Sequence, residues 1–448
     1  MAVVARAQDA AAADRGGVYA RLHAADRHPL APLGPGELDA LADAAWWSGR
    51  VDESVAARLR AHAGYVAAHD PRGAGRAAWW LAAEYRRLGR PAVAAGWLHR
   101  ARHHLEGRPD CPEQCLLAWS DVADAEEHHA PAAALAAARR MTRLAARSGD
   151  PGLLALARQA ASSVLLAQGP AHRAEALALL DEAMRAVIAG ELSDLSTGRL
   201  YDLALGECVH AAELARAGQW TEAAMAWCAG LPGNPFRGPC RIHHVEVLDL
   251  LGEWARAEDE ARLVCREVLP DALGTAAAAA YAVGEIQRRQ GRRAEAARSY
   301  AHAHELGRVP QPGLALLRLA QGRPDTALAG LRLALDCQTD PAHDVLGRAR
   351  LLAALVETHL ALGDPAAALA AADGLAALDP AEEVPLLTAM AAGARGAVTL
   401  AHGPLRRALA LWLELRVPYE AARTRMRLGG AERAAARAAF ARLGAVAA

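Results

Sequence analysis

Residues 275–310, TAAAAAYAVGEIQRRQGRRAEAARSYAHAHELGRVP, contain the pattern that decides the fold. Small and apolar residues recur at helical spacing on both sides of Gly291, which predicts two helices joined by a tight turn. Gly284 and Ala296 are small enough to let the two helices approach closely, and Tyr300 fills the space beside them. One such hairpin cannot bury both of its faces, so the sequence predicts neighbouring copies.

Copies of this hairpin occur along the whole chain. In each copy a turn is followed, five, nine and twelve residues later, by small or apolar residues on one helical face, as Gly89 is by Ala94, Leu98 and Ala101. The predicted turns lie at Gly89, Gly218, Gly252, Gly291, Gly322, Gly363 and Gly403, with weaker copies at Gly49, at His129, near Ala171 and near Gly430. We therefore predict an all-α fold of roughly nine to ten helix pairs.

The pattern resembles the tetratricopeptide repeat. It shares that family's small residues closing an antiparallel helix pair at Gly284, Gly291, Ala296, Tyr300 and Ala303. Successive turns are mostly about 40 residues apart, as Gly49 and Gly89 are. This spacing is longer than the roughly 34 residues of the standard repeat. The longer spacing indicates a divergent repeat and leaves a HEAT-like assignment open for some units. The resemblance implies a right-handed superhelical solenoid of antiparallel helix pairs.

Composition limits the function classes. A net charge of −1 and a pI near 7.0 give no electrostatic basis for binding nucleic acid or a membrane surface, so we predict neither partner. The sequence has no lysine, which excludes a phosphate-loop lysine and a pyridoxal-phosphate Schiff base. The simplest explanation of the arginine-only usage is a GC-rich genome. We predict no cofactor.

The cysteines and the N-terminus indicate the compartment. Seven cysteines, an odd number spread over 448 residues, do not form a disulfide framework. The N-terminal stretch has no long apolar core, and no apolar run approaches the ~20 residues that a membrane span needs. We predict a cytoplasmic protein.

The chain is predicted to have four segments. They are a lead-in and loop at 1–35, N-terminal repeats at 36–230, an irregular loop at 231–241 and C-terminal repeats at 242–448. The loop, LPGNPFRGPCR, carries three prolines and the only asparagine of the chain. A loop of this kind either covers the groove or separates two half-solenoids.

A second resemblance covers nearly the whole chain. It rests on the blocks ALADAAWWSGRVDES (40–54), AVAAGWLHRARHHLEG (92–107), LLDEAMRAVIAGELS (179–193), PFRGPCRIHHVEVLDLLGEW (235–254), GRVPQPGLALLRLAQGR (307–323) and LALWLELRVPYEAARTRMRLG (409–429). These blocks are similar to the tetratricopeptide-type region of actinobacterial LuxR-type transcriptional regulators. In that family a helix-turn-helix domain normally follows the repeats, but this sequence stops at Ala448 without one. The resemblance therefore implies the sensing half of a regulator, or a descendant with another task, and DNA binding does not carry over.

The tetratricopeptide resemblance also implies where ligands bind. In that family the first helix of each pair lines the concave surface, and offsets from the turns give the inward residues. The implied ligand-binding residues are Trp79, Arg86, Trp119, Glu126, Glu246, Asp249, Tyr281, Glu285, Arg288, Arg350 and Glu357. Tyr281, Glu285 and Arg288 form one stripe along a helix, and the alternative for them is an internal Glu–Arg pair beside a packed ring.

The irregular loop and its C-terminal border supply three further candidates. Arg237 and Arg241 flank Gly238 and Pro239, and together they could form a fork for a carboxylate or phosphate; the alternative is a pair of solvated charges. His243 follows the loop and lies three residues before Glu246, so the two could act together, although a structural histidine is the commoner outcome.

Metal binding is not predicted. Glu126 and His129 have the Glu-x-x-His spacing of carboxylate-bridged di-iron helices, and His99 with His103 could hold one metal across a helical turn. A di-iron bundle needs two such motifs with further Glu from facing helices, and this sequence has one.

Three functions remain open from the sequence. The first is a solenoid that binds a peptide, a partner protein or a small molecule in its groove, as the ligand-responsive part of a LuxR-like regulator. The second is an enzyme of secondary metabolism that does acid–base chemistry with His243, Glu246, Tyr281 and Glu285 in a pocket closed by residues 231–241. The third is an assembly scaffold. Pairing of the terminal repeats into a homodimer also remains open.

Overall fold

The protein is described here by a computed structural model, which covers residues 15–28, 32–108, 110–231, 234–267, 273–338 and 342–446. Within these ranges the chain forms 23 α-helices and one short 3₁₀ helix, Pro170–His172, and no strand, which confirms the all-α prediction. None of the described helices combines the length and the hydropathy that a membrane span requires. Residues 1–14 of the predicted lead-in and residues 232–233 of the predicted loop lie outside the described part of the chain.

The chain divides into two units. The first unit comprises residues 1–204 and 226–237, and the second comprises residues 205–225 and 238–448. The first holds α1 Arg15–Asp26, α2 Pro35–Trp47, α3 Val51–Ala67, α4 Pro71–Arg87, α5 Pro91–His104, α6 Glu113–Glu127, α7 Pro131–Ser148, α8 Pro151–Ala167 and α9 Arg173–Ile188. The division falls within the next two helices, α10 Asp194–His210 and α11 Leu214–Ala229.

The second unit contains the remaining helices. They are α12 Arg237–Leu251, whose first residue belongs to the first unit, α13 Trp254–Glu267, α14 Leu273–Arg289, α15 Arg293–Glu305, α16 Gly313–Ala320, α17 Pro324–Asp336, α18 Val345–Ala361, α19 Pro365–Ala376, α20 Pro385–Thr399, α21 His402–Glu414, α22 Pro418–Leu428 and α23 Glu432–Leu443. From α2 onward the described helices form eleven consecutive pairs, slightly more than predicted.

Each predicted hairpin frame buries its small residues against the partner helix. Ala257, Ala261 and Val264, which follow the turn at Gly252, are fully buried, and the residues five, nine and twelve positions after Gly291 are buried in the same way. Helices that are neighbours in the chain pack on one another, and the first helices of some successive pairs are also in contact. The repeat frame seen in the sequence is therefore the packing frame of the core.

The turns are built from a recurring combination of residues, which α18 and α19 illustrate. Gly363 adopts a left-handed φ of 74°, which ends α18 without the steric cost that a side chain would add. Asp364 then caps α19 by accepting a hydrogen bond at 3.0 Å from the backbone N–H of Ala367. Pro365 occupies the first turn of the helix, where its missing N–H costs nothing.

Four sequence predictions about segment boundaries are wrong. A helix, α1, lies within the predicted lead-in, and its Tyr19 packs into a core cluster with Leu41 and Ala42. The predicted irregular loop ends early, because α12 begins at Arg237. Pro239 is tolerated there because the first turn of a helix has N–H groups that make no intrahelical bond.

The turn predicted at Gly403 is wrong, because Gly403 lies inside α21 and the left-handed residue is Leu400, whose φ is 55°. The fourth wrong boundary is the turn predicted at Gly218. Gly218 lies inside α11, and the turn instead centres on Ala212, whose φ is 62°. Counting five, nine and twelve residues from Ala212 gives Ala217, Thr221 and Ala224, all of which are buried. The repeat frame therefore holds in this pair but starts six residues earlier than predicted.

This corrected boundary gives a stability prediction. Replacing Gly218 with alanine is expected to stabilise the protein by about 0.5–1 kcal/mol, because the position is helical and a new methyl group would meet no atom within 4 Å. Replacing Gly89 is the matched control, since its surroundings are equally open but its φ is +67°. That substitution should destabilise by about 1–2 kcal/mol. Chemical denaturation of both variants measures the difference; loss of stability in Gly218→Ala would contradict the corrected turn.

Candidate functional site

A cavity of about 530 Å³ lies within the second unit. Most of its wall comes from the first helices of successive pairs, α12, α14, α16, α18, α20 and α22. Its polar and charged lining residues are Glu246, Asp249, Tyr281, Glu285, Arg288, Arg289, Arg293, Arg308, Arg350, Glu357, Tyr419, Glu420, Arg423, Thr424 and Arg427. Seven of the residues singled out in the sequence are among them: Glu246, Asp249, Tyr281, Glu285, Arg288, Arg350 and Glu357.

Glu285, on α14, is the centre of a buried ion-pair network. Its carboxylate accepts a hydrogen bond from the Tyr300 hydroxyl at 2.5 Å and pairs with Arg288 at 2.9 Å and Arg289 at 3.3 Å. Arg289 also pairs with Asp249 of α12. Burial alone would raise the pKa of Glu285, but the charges of the two arginines and the hydrogen bonds lower it to about 2. The carboxylate is therefore ionised and fully engaged at neutral pH.

Tyr281 lies one helical turn before Glu285 and remains a neutral phenol. Burial raises its pKa well above the ordinary value, and the negative charge of Glu285 raises it further. The guanidinium of Arg308 lies over the ring, 4.8 Å from its centroid. This cation–π contact holds a positive charge at the cavity wall without neutralising it.

A second network lies on α22. Arg423 pairs with Glu357 of α18 and, at 3.2 Å, with Glu420. Arg427 is 3.9 Å from the same Glu357 carboxylate, and burial together with the charge of Arg423 lowers its pKa. Two arginines and two carboxylates, Glu357 and Glu420, therefore lie together at the cavity wall, and their charges balance.

Three arginines of the wall have no ion-pair partner among the described residues: the exposed Arg293 and Arg308 and the half-buried Arg350. The positive charges of Arg308 and Arg350 both lower the pKa values of Glu246 and Tyr281 against the effect of burial. Seven guanidinium groups and five carboxylates line the cavity, so its wall carries an excess of two positive charges.

The rest of the wall is apolar. It includes Ile242, Leu250, Leu316, Leu319, Leu346, Val356, Leu386, Met390 and Trp412. Cavities of several hundred Å³ with an apolar lining and a few placed polar groups are typical of small-molecule sites. An amphipathic molecule with one anionic end matches both parts of this wall.

Comparisons with known proteins find similar solved structures but assign the chain to no family. No protein-family model matches the sequence, and no curated protein matches it significantly. Solved structures of IFIT1 are similar to it. A human IFIT1 dimer with m7Gppp-AAAA has a TM-score of 0.44 and 14% identity, covering 90% of this chain and 94% of that chain. An IFIT1 monomeric mutant with Gppp-AAAA has a TM-score of 0.43 at the same identity and coverage. At these values the similarity transfers no function.

The structure does not place His243 with the enzyme candidates. Its ring nitrogen is 3.3 Å from Glu246, so the predicted contact exists, but His243 is absent from the wall that Glu246, Tyr281 and Glu285 share. None of the described residues of 231–241 lines the cavity, so the described part of that segment does not close it as predicted.

The predicted arginine fork is also wrong. Arg237 and Arg241 lie four residues apart on α12 rather than on a loop. Arg241 is buried, and its guanidinium is 2.7 Å from both Glu260 and Glu267 of α13. Its charge holds α12 to α13 and is unavailable to a ligand.

The candidates of the first unit have local partners. Trp79 is buried, donates from Nε1 to the Ser120 hydroxyl at 2.9 Å and stacks on Trp119 with a ring separation of 5.9 Å. Arg86 pairs with Asp124 at 2.8 Å. Glu126 accepts a hydrogen bond from Ser163 at 3.2 Å. The structure therefore brings the candidates of the second unit together in one cavity, while these four belong to the packing of the first.

Sequence reasoning missed several residues of the wall. Offsets of ten, six and three residues before the turn, which gave Tyr281, Glu285 and Arg288 from Gly291, can also be applied to Gly430. They give Glu420, Thr424 and Arg427, which all line the cavity. Arg308 carried no such signal, because it lies on the connection between α15 and α16 rather than on a first helix.

Proposed function

We propose that the protein is a ligand-binding helical-repeat protein whose second-unit cavity receives a small molecule with a carboxylate or phosphate group and an apolar body. The observation that carries this proposal is that Arg308, whose guanidinium lies over the Tyr281 ring, and Arg350 both line the cavity and lack an ion-pair partner among the described residues. An anionic group between two guanidinium groups would form charge-assisted hydrogen bonds with both.

Binding, rather than acid–base catalysis, is what the electrostatics of this wall favour. A general acid or base works best with a pKa near the operating pH. The pKa of Glu285 is held near 2, and the pKa of Tyr281 is raised far above neutrality. Both side chains therefore keep one protonation state at physiological pH, and their role in the proposal is to position the surrounding arginines.

The biological context that we propose is that of a cytoplasmic sensor. It rests on the sequence resemblance to the repeat region of LuxR-type regulators, in which the repeats are the ligand-responsive part. In this role the chain would report the presence of its anionic ligand to a partner and would leave the ligand chemically unchanged.

Isothermal titration with octanoate and octyl phosphate, with 1-octanol as the neutral comparison, tests the proposal. We expect the two anions to bind and to raise the unfolding temperature, since ligand binding to the native state stabilises it. Arg350→Gln should weaken binding of the anions by about tenfold to a hundredfold and leave the alcohol unaffected, because it removes a charged hydrogen-bond donor.

Arg348→Gln is the matched control. Arg348 lies on the same helix and carries the same charge, but it is absent from the cavity wall and donates to Gln338 at 3.2 Å. Equal effects of the two substitutions, or equal affinity for octanoate and 1-octanol, would contradict the proposal. Chemical conversion of either anion would establish an enzyme instead.

A further inference from the structure

A second cavity, of about 270 Å³, lies within the first unit and has tryptophan walls. Trp46 and Trp47 come from the C-terminal end of α2, and Trp80 comes from α4. None of the three lines the cavity described above, and none is among the ligand-binding residues predicted from the sequence. The lining also includes residues of α1, α3 and the start of α10.

The three rings face the cavity at different angles. Trp46 meets Trp47 edge-on, with ring centroids 5.5 Å apart and an interplanar angle of 85°, and it lies 6.5 Å from Trp80 at 57°. Phe236 packs on the far side, 5.6 Å from Trp46 and 6.0 Å from Trp47. Rings that meet at steep angles form a partial box, and Phe236 fixes two of its walls in place.

The charges around the box are mainly negative. Asp43, Glu84 and Asp194 line the cavity, against one guanidinium, that of Arg58. Arg58 is buried and pairs with Asp43 at 2.5 Å and with Asp39 at 2.7 Å, and Glu84 pairs with Arg87, which does not line the cavity. The lining itself holds three carboxylates and one guanidinium, and the tryptophan faces add negative potential to it.

Cations already lie on the rings of this cluster. The guanidinium carbon of Arg58 is 5.6 Å from the Trp80 ring, and that of Arg199 is 5.5 Å from the Phe236 ring. Both are side chains of the protein, and Arg58 itself lines the cavity. They show that rings of this cluster are accessible to cations in this fold.

We propose that this aromatic box binds a compact organic cation of the substituted-ammonium class. The volume is below the roughly 300–1,000 Å³ of drug-sized ligand sites, which fits a ligand of few heavy atoms. An ammonium group bearing alkyl substituents is weakly hydrated and polarises tryptophan faces, and the lining carboxylates offset its charge. All of its lining residues belong to the first unit. A failure of the anion-binding proposal for the second-unit cavity would therefore leave this proposal unaffected.

The test is calorimetric titration of the full chain with choline and with 3,3-dimethylbutan-1-ol, its neutral isostere. We expect choline to bind at least about tenfold more tightly, because only the cation gains from the ring faces and the carboxylates. Trp46→Leu should weaken choline binding by about tenfold or more and should abolish the preference for the cation. Trp46→Phe, which keeps an aromatic face, should retain most of that preference. It is the variant to measure if Trp46→Leu fails to fold.

Trp97→Leu is the matched control. Trp97 is a half-buried tryptophan of the first unit that packs on His62 and does not line the cavity. Its loss should leave choline affinity within twofold of the original protein. Equal affinity for the two probes, no binding of choline, tighter binding of butyrate than of choline, or equal effects of Trp46→Leu and Trp97→Leu would each overturn the proposal.

Discussion

Replacing Glu285 with glutamine is expected to destabilise the second unit by about 3–5 kcal/mol. The carboxylate is the shared partner of Arg288, Arg289 and the Tyr300 hydroxyl, and all of these groups lie in the interior of the helix stack. Glutamine keeps the size of the side chain but removes the negative charge. The substitution therefore removes the negative charge that balances the two guanidinium groups of Arg288 and Arg289 in the interior.

The measurement should be local, because helical-repeat chains can unfold in more than one step. Hydrogen exchange of the α14 backbone reports the unit that contains Glu285, and Glu305→Gln on α15 is the control, since Glu305 is largely exposed. We expect the control to exchange like the original protein. Unchanged protection of α14 in Glu285→Gln would show that the ion-pair network contributes little.

Acid titration gives the same prediction a second readout. The pKa of Glu285 is about 2 in the folded protein and 4.5 when unperturbed. Because the folded value is the lower one, the carboxylate contributes stability above about pH 4.5, and this contribution is lost as the pH falls towards 2. The stability difference between the original protein and Glu285→Gln should therefore shrink across that interval, and a constant difference would point to a steric effect.

The sequence predicts the fold well because the repeat encodes each turn and its buried face together. Where the turn residue is glycine, as at Gly89, Gly252 and Gly363, the left-handed conformation and the small buried residues after it coincide. The frame is displaced in the pairs that turn at Ala212 and Leu400, because there a residue other than glycine adopts the left-handed conformation and the following glycine, Gly218 or Gly403, is helical. Single-residue turn signals cannot separate these cases, since glycine suits open helical positions as well as turns.

The site could be predicted only in part, for a related reason. Inward positions follow from helical offsets, so Tyr281, Glu285 and Arg350 could be named before their surroundings were known. Whether an inward side chain binds a ligand or another side chain depends on partners from helices far away in the sequence. Arg423, for example, is 66 residues from the Glu357 that it pairs with.

The irregular segment before α12 shows the same limit. Its prolines and Asn234 predicted an unusual conformation, and the Asn234 side chain does accept a hydrogen bond from the Phe236 N–H at 2.9 Å. No pattern in the sequence indicates that this turn inserts the Phe236 ring among the tryptophans. That insertion depends on Gly198 of α10, whose missing side chain leaves the space that the ring occupies.

Replacing Gly198 with alanine is therefore expected to destabilise the first unit by about 3 kcal/mol, at the upper end of overpacking effects. The added methyl carbon would lie 2.1 Å from one carbon of the Phe236 ring and 2.6 and 2.7 Å from two others. The ring cannot move aside freely, because it is buried and contacts Trp46, Trp47 and Trp227. Any displacement of the Phe236 ring should also move Trp46 and Trp47, which form two walls of the aromatic box, and should weaken choline binding.

A double-mutant cycle isolates this contact. Phe236→Ala alone should cost about 3–5 kcal/mol, but in that background Gly198→Ala should be within about 1 kcal/mol of neutral, because the clash is gone and alanine favours the helix. Gly206→Ala, on the same helix, is the single-site control, since its methyl group would make only an ordinary contact at 3.7 Å with His243. Additive effects of Gly198→Ala and Phe236→Ala would mean that the ring does not occupy the space above Gly198, and the aromatic box would then lose the support that holds two of its walls.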